Sequence, residues 1–186
     1  MRQLKSDDNG FTGLEAAIVL IAFVVVAAVF SYVVLGAGFF TTQKSQETVY
    51  KGVEQASTNI QMIGNVYGLA ATPASGIDEI RFSVGLAPGA PAVDLTKMKI
   101  VFSTSNTTPQ ILAQGATAST EVFTTKLNGA TAVDSMNQNE QIEIAFNVAA
   151  VPANTKMTIE IRPSVGAALP FTKTAPATVT ATNILY

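Results

Sequence analysis

Residues 16–40 read AAIVLIAFVVVAAVFSYVVLGAGFF, a run with no charged side chain. A helix that crosses a bilayer needs about 20 mainly apolar residues, so this run is long enough to span a membrane or to sit somewhere equally dry. Past Thr41 the chain turns polar but keeps a stripe. Val49, Val53, Ala56, Ile60, Ile63, Tyr67 and Ala70 recur at alternating steps of four and three. That spacing puts them on one face of a helix, and sustained it forms a coiled-coil seam. Lys44, Glu47, Lys51 and Glu54 fall on the other faces, with Glu47 and Lys51 spaced as an i,i+4 pair. The two patterns together predict one helix over 12–69, about 87 Å long at 1.5 Å per residue. Gly36 and Gly38 interrupt it. They either let neighbouring helices approach closely or are simply the glycines common in membrane helices.

After Ala71-Thr72-Pro73-Ala74-Ser75-Gly76 the period changes to two. Ile80, Phe82, Val84 and Leu86 alternate with Arg81, Ser83 and Gly85. The same alternation recurs through Met98, Ile100 and Phe102, through Ile142, Ile144, Phe146 and Val148, and through Met157, Ile159 and Ile161. Further strands are predicted near 110–112, 121–125, 169–172 and 179–185. Pro88-Gly89, Asn128-Gly129 and Pro152-Ala153-Asn154 read as turns between them. Many short strands with such punctuation predict an immunoglobulin-like antiparallel β-sandwich over 71–186. The fold class is therefore α+β: a long apolar N-terminal helix, 11–70, followed by the sandwich.

Composition narrows the chemistry. The chain has 186 residues, 48% hydrophobic and 13% charged, with a mean hydropathy of +0.33 and a net charge of −2. With no basic block and few aromatics, nucleic acid is not an expected partner. There is no Cys, His or Trp, so thiolate and imidazole chemistry are absent and a zinc site would lack its usual ligands. No nucleophile elbow or phosphate loop is present, so neither a catalytic site nor a cofactor is expected. Asp134, Asn137, Asn139 and Glu140 offer oxygen ligands but lack the spacing of a calcium loop, so they read as a solvated turn and no metal site is assigned.

The leader, residues 1–10, carries Arg2, Lys5, Asp7 and Asp8 and ends at Gly10. An ordinary secretory signal has a shorter apolar core, which is removed with it. Cleavage after Gly10 would instead keep the run in the mature chain; a cut near Leu35-Gly36-Ala37-Gly38 is the alternative. The segment from Gly10-Phe11-Thr12-Gly13-Leu14-Glu15 through Phe30, continuing through Gly36-Ala37-Gly38-Phe39-Phe40-Thr41-Thr42-Gln43-Lys44, resembles the archaellins, the archaeal flagellins of the type IV pilin-like superfamily. This resemblance covers roughly the first third of the chain. It implies a class III signal peptide, cut between Gly10 and Phe11 by a prepilin-type signal peptidase. Leaders of this kind often carry a basic residue before the glycine, where this chain has Asp7-Asp8-Asn9.

The resemblance makes Glu15 the fifth residue of the mature chain, where related pilins place a glutamate thought to meet the free amine of a neighbouring subunit. An interfacial Glu at headgroup level is the other reading. Archaellins are often glycosylated, and Asn106-Thr107-Thr108 is a sequon in a polar loop. Asn106 is thus either a glycan site or an ordinary loop Asn.

The implied function is a structural, non-enzymatic subunit of the extracellular archaellum filament, used for swimming. Before assembly the precursor would lie in the cell membrane with the sandwich outside. Its partners would be copies of itself and other archaellins, an export and motor ATPase, and a membrane platform protein. Assembly contacts would come from Phe11, Glu15, Ile18, Ile21, Val25, Val29, Tyr32, Val49, Val53, Ile60 and Ile63. An adhesion pilin and a monomeric membrane-anchored binding sandwich are the alternatives.

Overall fold

The computed structural model describes the backbone of residues 8–186 and the side chains from Gly13 onward. The leader residues Arg2, Lys5 and Asp7 lie outside the described residues. Two compact units divide the chain, one ending at Tyr50 and the other running Lys51–Tyr186.

One helix, α1 (Asp8–Ser57), includes the whole apolar run. At 1.5 Å per residue it is about 75 Å long. Runs such as Val24-Val25-Val26 have modest helix propensity in water. In a dry environment, however, a helix satisfies every backbone group internally, and that constraint dominates. Where the run meets polar sequence, hydroxyls fold back onto the helix. Thr41 Oγ1 donates to the Ala37 carbonyl at 2.8 Å and Thr42 Oγ1 to that of Gly38 at 2.9 Å, so neither brings an unmet donor into apolar surroundings. Further along, Lys44 and Glu47 pair at 2.7 Å.

The helix ends at Ser57, not at Leu69. The Ser57 hydroxyl, the Thr58 hydroxyl and the Thr58 N–H all donate to the Glu54 carbonyl, at 3.2, 2.7 and 2.9 Å. The 164–166 loop presses on this last turn. Gly166 has φ +105°, and a Cβ there would stand 2.4 Å from the Thr58 carbonyl oxygen, so only glycine fits.

After Asn59 the chain becomes a strand, β1 (Ile60–Leu69), and the sandwich begins before residue 71. Ile60 and Ile63 are three apart, one face of a helix but opposite faces of a strand. Ile60 accordingly enters the core, while Ile63 points out. Period-two alternation then carries Val66 inward and Tyr67 outward, and the register against β2 shifts by two residues between Ile63 and Tyr67 without changing which face each side chain takes. Partners on both sides of β1, absent from any local pattern, outweigh the helical spacing.

The remaining strands are β2 (Ile77–Leu86), β3 (Val93–Asp94), β4 (Lys99–Thr104), β5 (Thr107–Gln114), β6 (Val122–Leu127), β7 (Thr131–Ala132), β8 (Ser135–Met136), β9 (Ile142–Val151), β10 (Lys156–Arg162), β11 (Leu169–Thr174) and β12 (Thr182–Leu185). One layer runs β11-β10-β4-β5 and the other β6-β9-β2-β1-β12. They join at one margin where β5 and β6 pair in parallel, Ala113 with Val122 and Gln114 with Phe123. The other margin is closed by Thr174 and Tyr186, which exchange both backbone hydrogen bonds at 2.7 and 3.2 Å. Both joints are short: β5 meets β6 through two residue pairs, so residues 107–112 have β4 alone as a strand neighbour.

The predicted alternations face inward as expected, and rings from both layers meet edge-on between them. Phe102 of β4 lies 5.7 Å from Phe146 of β9, and Phe171 of β11 lies 5.4 Å from Phe82 of β2. Asn128-Gly129 makes the β6–β7 turn with φ of 49° and 75°, the double positive φ that favours this dipeptide in tight hairpins.

Because Ile60 is core and Ile63 is not, the two should respond differently to truncation. Ile60→Ala should cost about 2–5 kcal/mol. Ile63→Ala should cost only about 0.5 kcal/mol, as for a surface site. Thermal unfolding of the full-length protein in detergent measures both.

Candidate assembly surface

Ile18, Ile21, Val25, Val29 and Tyr32 recur at steps of three and four, so the helix carries them on one face. None is covered: exposure runs from 56% at Val25 to 80% at Tyr32. The opposite face is equally apolar and bare, with Leu20, Phe23 and Val34 all exposed. A helix hydrophobic all round is stable only inside lipid or among other apolar elements. Exposed apolar area on this scale marks an interaction surface. Val49 and Val53, further along α1, are exposed as well. Ile60, expected among these contacts, is instead a core residue of the sandwich, and Ile63 stands on a strand rather than on the helix.

Gly10 and Phe11 lie within the helical backbone, but their side chains lie outside the described residues. Glu15 is exposed and is the one carboxylate in residues 13–40. In this chain α1 begins at Asp8, about two turns ahead of Glu15. Around Gly36 and Gly38 nothing lies within 4 Å of where a Cβ would stand, so the helix surface there is open to close approach.

On the sandwich, Asn106 is exposed at the tip of the β4–β5 hairpin. Its N–H donates to Thr104 Oγ1 at 3.2 Å, and that hydroxyl meets Thr107 Oγ1 at 2.8 Å. The turn is thus braced by its own hydroxyls, while the Asn106 side chain stands at the surface. Near the β8–β9 turn the carboxylates serve local structure. Glu140 accepts from the Asn137 N–H at 2.8 Å, and Asp134 accepts from Gln114 Nε2 at 3.1 Å. Among the described residues no cluster of three or more metal-ligating side chains forms.

The family model for archaeal-type flagellin matches residues 10–173. The chain belongs to the archaeal-type flagellins. It is 36% identical to Probable flagellin 1 of Archaeoglobus fulgidus, over 100% of this chain and 98% of the relative. It is 39% identical to Probable flagellin 2 of the same organism, over 96% and 95%. Among solved structures, it is similar to the archaeal flagellum of Methanospirillum hungatei strain JF1, with a TM-score of 0.77 and 34% identity over 94% of this chain and 99% of that one.

As an archaeal-type flagellin the chain is a structural subunit of the archaeal flagellum, a homopolymeric filament outside the cell. The apolar helix and the sandwich, both read from sequence, are the two parts of this fold. Sequence reading missed the exposed apolar side chains of the sandwich itself. Ile184 and Tyr186 sit in a short, polar-flanked C-terminal stretch whose alternation does not say which face is covered.

The sandwich surface should show a defined acid limit. Asp94 is held down at about 2, against its ordinary 3.8, first by the Thr96 hydroxyl and then by Lys97. Glu160 is lowered by its hydrogen bonds from Arg162. A carboxylate depressed in the fold stabilises it above the unfolded pKa and loses that contribution as pH falls through the folded one. Thermal stability should therefore drop between about pH 4 and pH 2. Asp94→Asn should flatten part of that drop in a series of melting temperatures.

Proposed function

We propose that the chain polymerises through α1, each helix exchanging lipid for the helices of sister subunits. The carrying observation is the charge-free run of residues 16–40, exposed on all sides in the isolated chain. Burying one apolar side chain contributes about 1.5–3 kcal/mol relative to water, so some 20 of them make the exposed state untenable. Lipid meets that need before assembly. The net gain on polymerising comes from helix packing and subunit contacts, and extraction from the bilayer needs an energy-driven machine. The precursor is thus a membrane protein with its sandwich outside. Its partners are a prepilin-type signal peptidase, an export and motor ATPase, and a platform protein.

Cleavage falls between Gly10 and Phe11, a reading supported by the family match beginning at residue 10. The cut brings Glu15 to within about one turn of the new helix start, where the macrodipole favours a carboxylate. There it is placed to meet the new amine of a neighbouring subunit, since an unpaired charge in a dry bundle costs several kcal/mol. Asn106, exposed on its hairpin, carries a glycan.

Filaments sheared from the native host should contain this chain with an intact mass beginning at Phe11. Val25→Asp places an unpaired charge mid-run, at about 2.5–3.5 kcal/mol on insertion scales. It should leave cells without filaments while the precursor stays in the membrane fraction. Filaments of normal length from Val25→Asp, or subunits that still carry residues 1–10, would overturn the reading. Asn106→Gln should lower the subunit mass by that of the glycan; an unchanged glycan mass removes the site.

A further inference from the structure

We infer that the outer face of the β1–β12 pair is a second assembly surface, covered in the filament by another copy of this chain. The inference rests on the polymerisation proposed above and adds to it a contact made by the sandwich. Of the large apolar side chains exposed on the strands, Ile63, Tyr67 and Ile184 all lie on this pair, and Tyr186 follows directly. Tyr67 sits opposite Ile184 in the β1–β12 register. Ile184 and Tyr186 are two apart and share a face. Ile63 lies over Gly85, where a Cβ would stand 2.6 Å from its Cδ1, so the sheet makes room for it to lie flat. The outer face of the other layer holds a single such side chain, Ile111 of β5.

The chemistry of the patch identifies its occupant. Arg81, opposite Tyr67 on the other side, pairs with Glu79 at 2.7 Å and with Glu143 at 3.7 Å. A lipid surface does not suit this charge cluster. It does suit a protein: tyrosine and arginine are the residues enriched at the centres of protein interfaces. With one guanidinium against two carboxylates the cluster is within one charge of neutral, so it does little to repel a partner of this chain's own sparse, near-neutral surface. In a homopolymer the partner present at highest local concentration is another copy. Only two residues, Thr58 and Asn59, separate the end of α1 from the start of β1, so the patch follows the polymerising element directly along the chain. An open filament is built from heterologous contacts, so the patch meets a different region of the next copy and does not pair with itself.

The absence of cysteine allows a direct test. Ile184→Cys and Ile111→Cys are made separately in the full-length protein and assembled into filaments in the host. A maleimide is then applied to intact filaments and to the same filaments dissociated in detergent. Ile184→Cys should react at least about tenfold more slowly in filaments than in dissociated subunits, with Ile111→Cys changing much less. If Ile184→Cys fails to assemble, Tyr67→Cys at the paired position gives the same reading. Equal rates for Ile184→Cys before and after dissociation overturn the inference, as does equal protection of the two positions. Those results leave polymerisation through α1 intact, whereas filaments formed by Val25→Asp would remove the underlying reading instead.

Discussion

The constraint on which everything else depends is an apolar helix that its own chain never covers. From Gly13 to Phe40 every described side chain is exposed, although most are of the kind that water rejects. An ordinary domain resolves this by folding the helix against a second element. Here the cover has to come from outside the chain. A helix apolar on every side has two kinds of stable setting, lipid or the company of other apolar elements. Dilute solution is not one of them.

The sandwich meets the opposite requirement, because it must be complete without help. Its layers join at one margin through the short parallel β5–β6 pair and at the other through the Thr174–Tyr186 exchange. Among the described residues, no buried side-chain polar atom lacks a partner. Asn183 illustrates how: buried in β12, it donates to the carbonyls of Gly68 and Thr180 and accepts from the Thr180 N–H. The surface that results is sparsely charged, rich in Thr, Ser and Asn, and suited to close packing among copies.

Between the two parts the chain changes from helix to strand within three residues, and the tether there is short. The Glu54 carbonyl collects three donors, and Gly166 brings a loop against Thr58 where no side chain would fit. A helix that continued to Leu69 would have withdrawn Ile60 and Val66 from the core. It would also have left β2 and β12 without the strand that lies between them.

The sequence by itself determined the apolar helix, since a charge-free run of this length admits few other structures. It also determined the strands whose inward residues alternate strictly, such as those of β9 and β10, because period-two patterning places every second side chain on the core side. The resemblance of residues 10–44 carried the family. Only the tertiary structure decided where the helix stops, because Ile60, Ile63 and Tyr67 fit a helical stripe as well as they fit a strand with a register shift. That choice depends on hydrogen-bond partners more than a hundred residues away, at Ile184 and Leu185. It likewise decided which face of each strand is left bare, since alternation marks two faces while only packing shows which one the other layer covers.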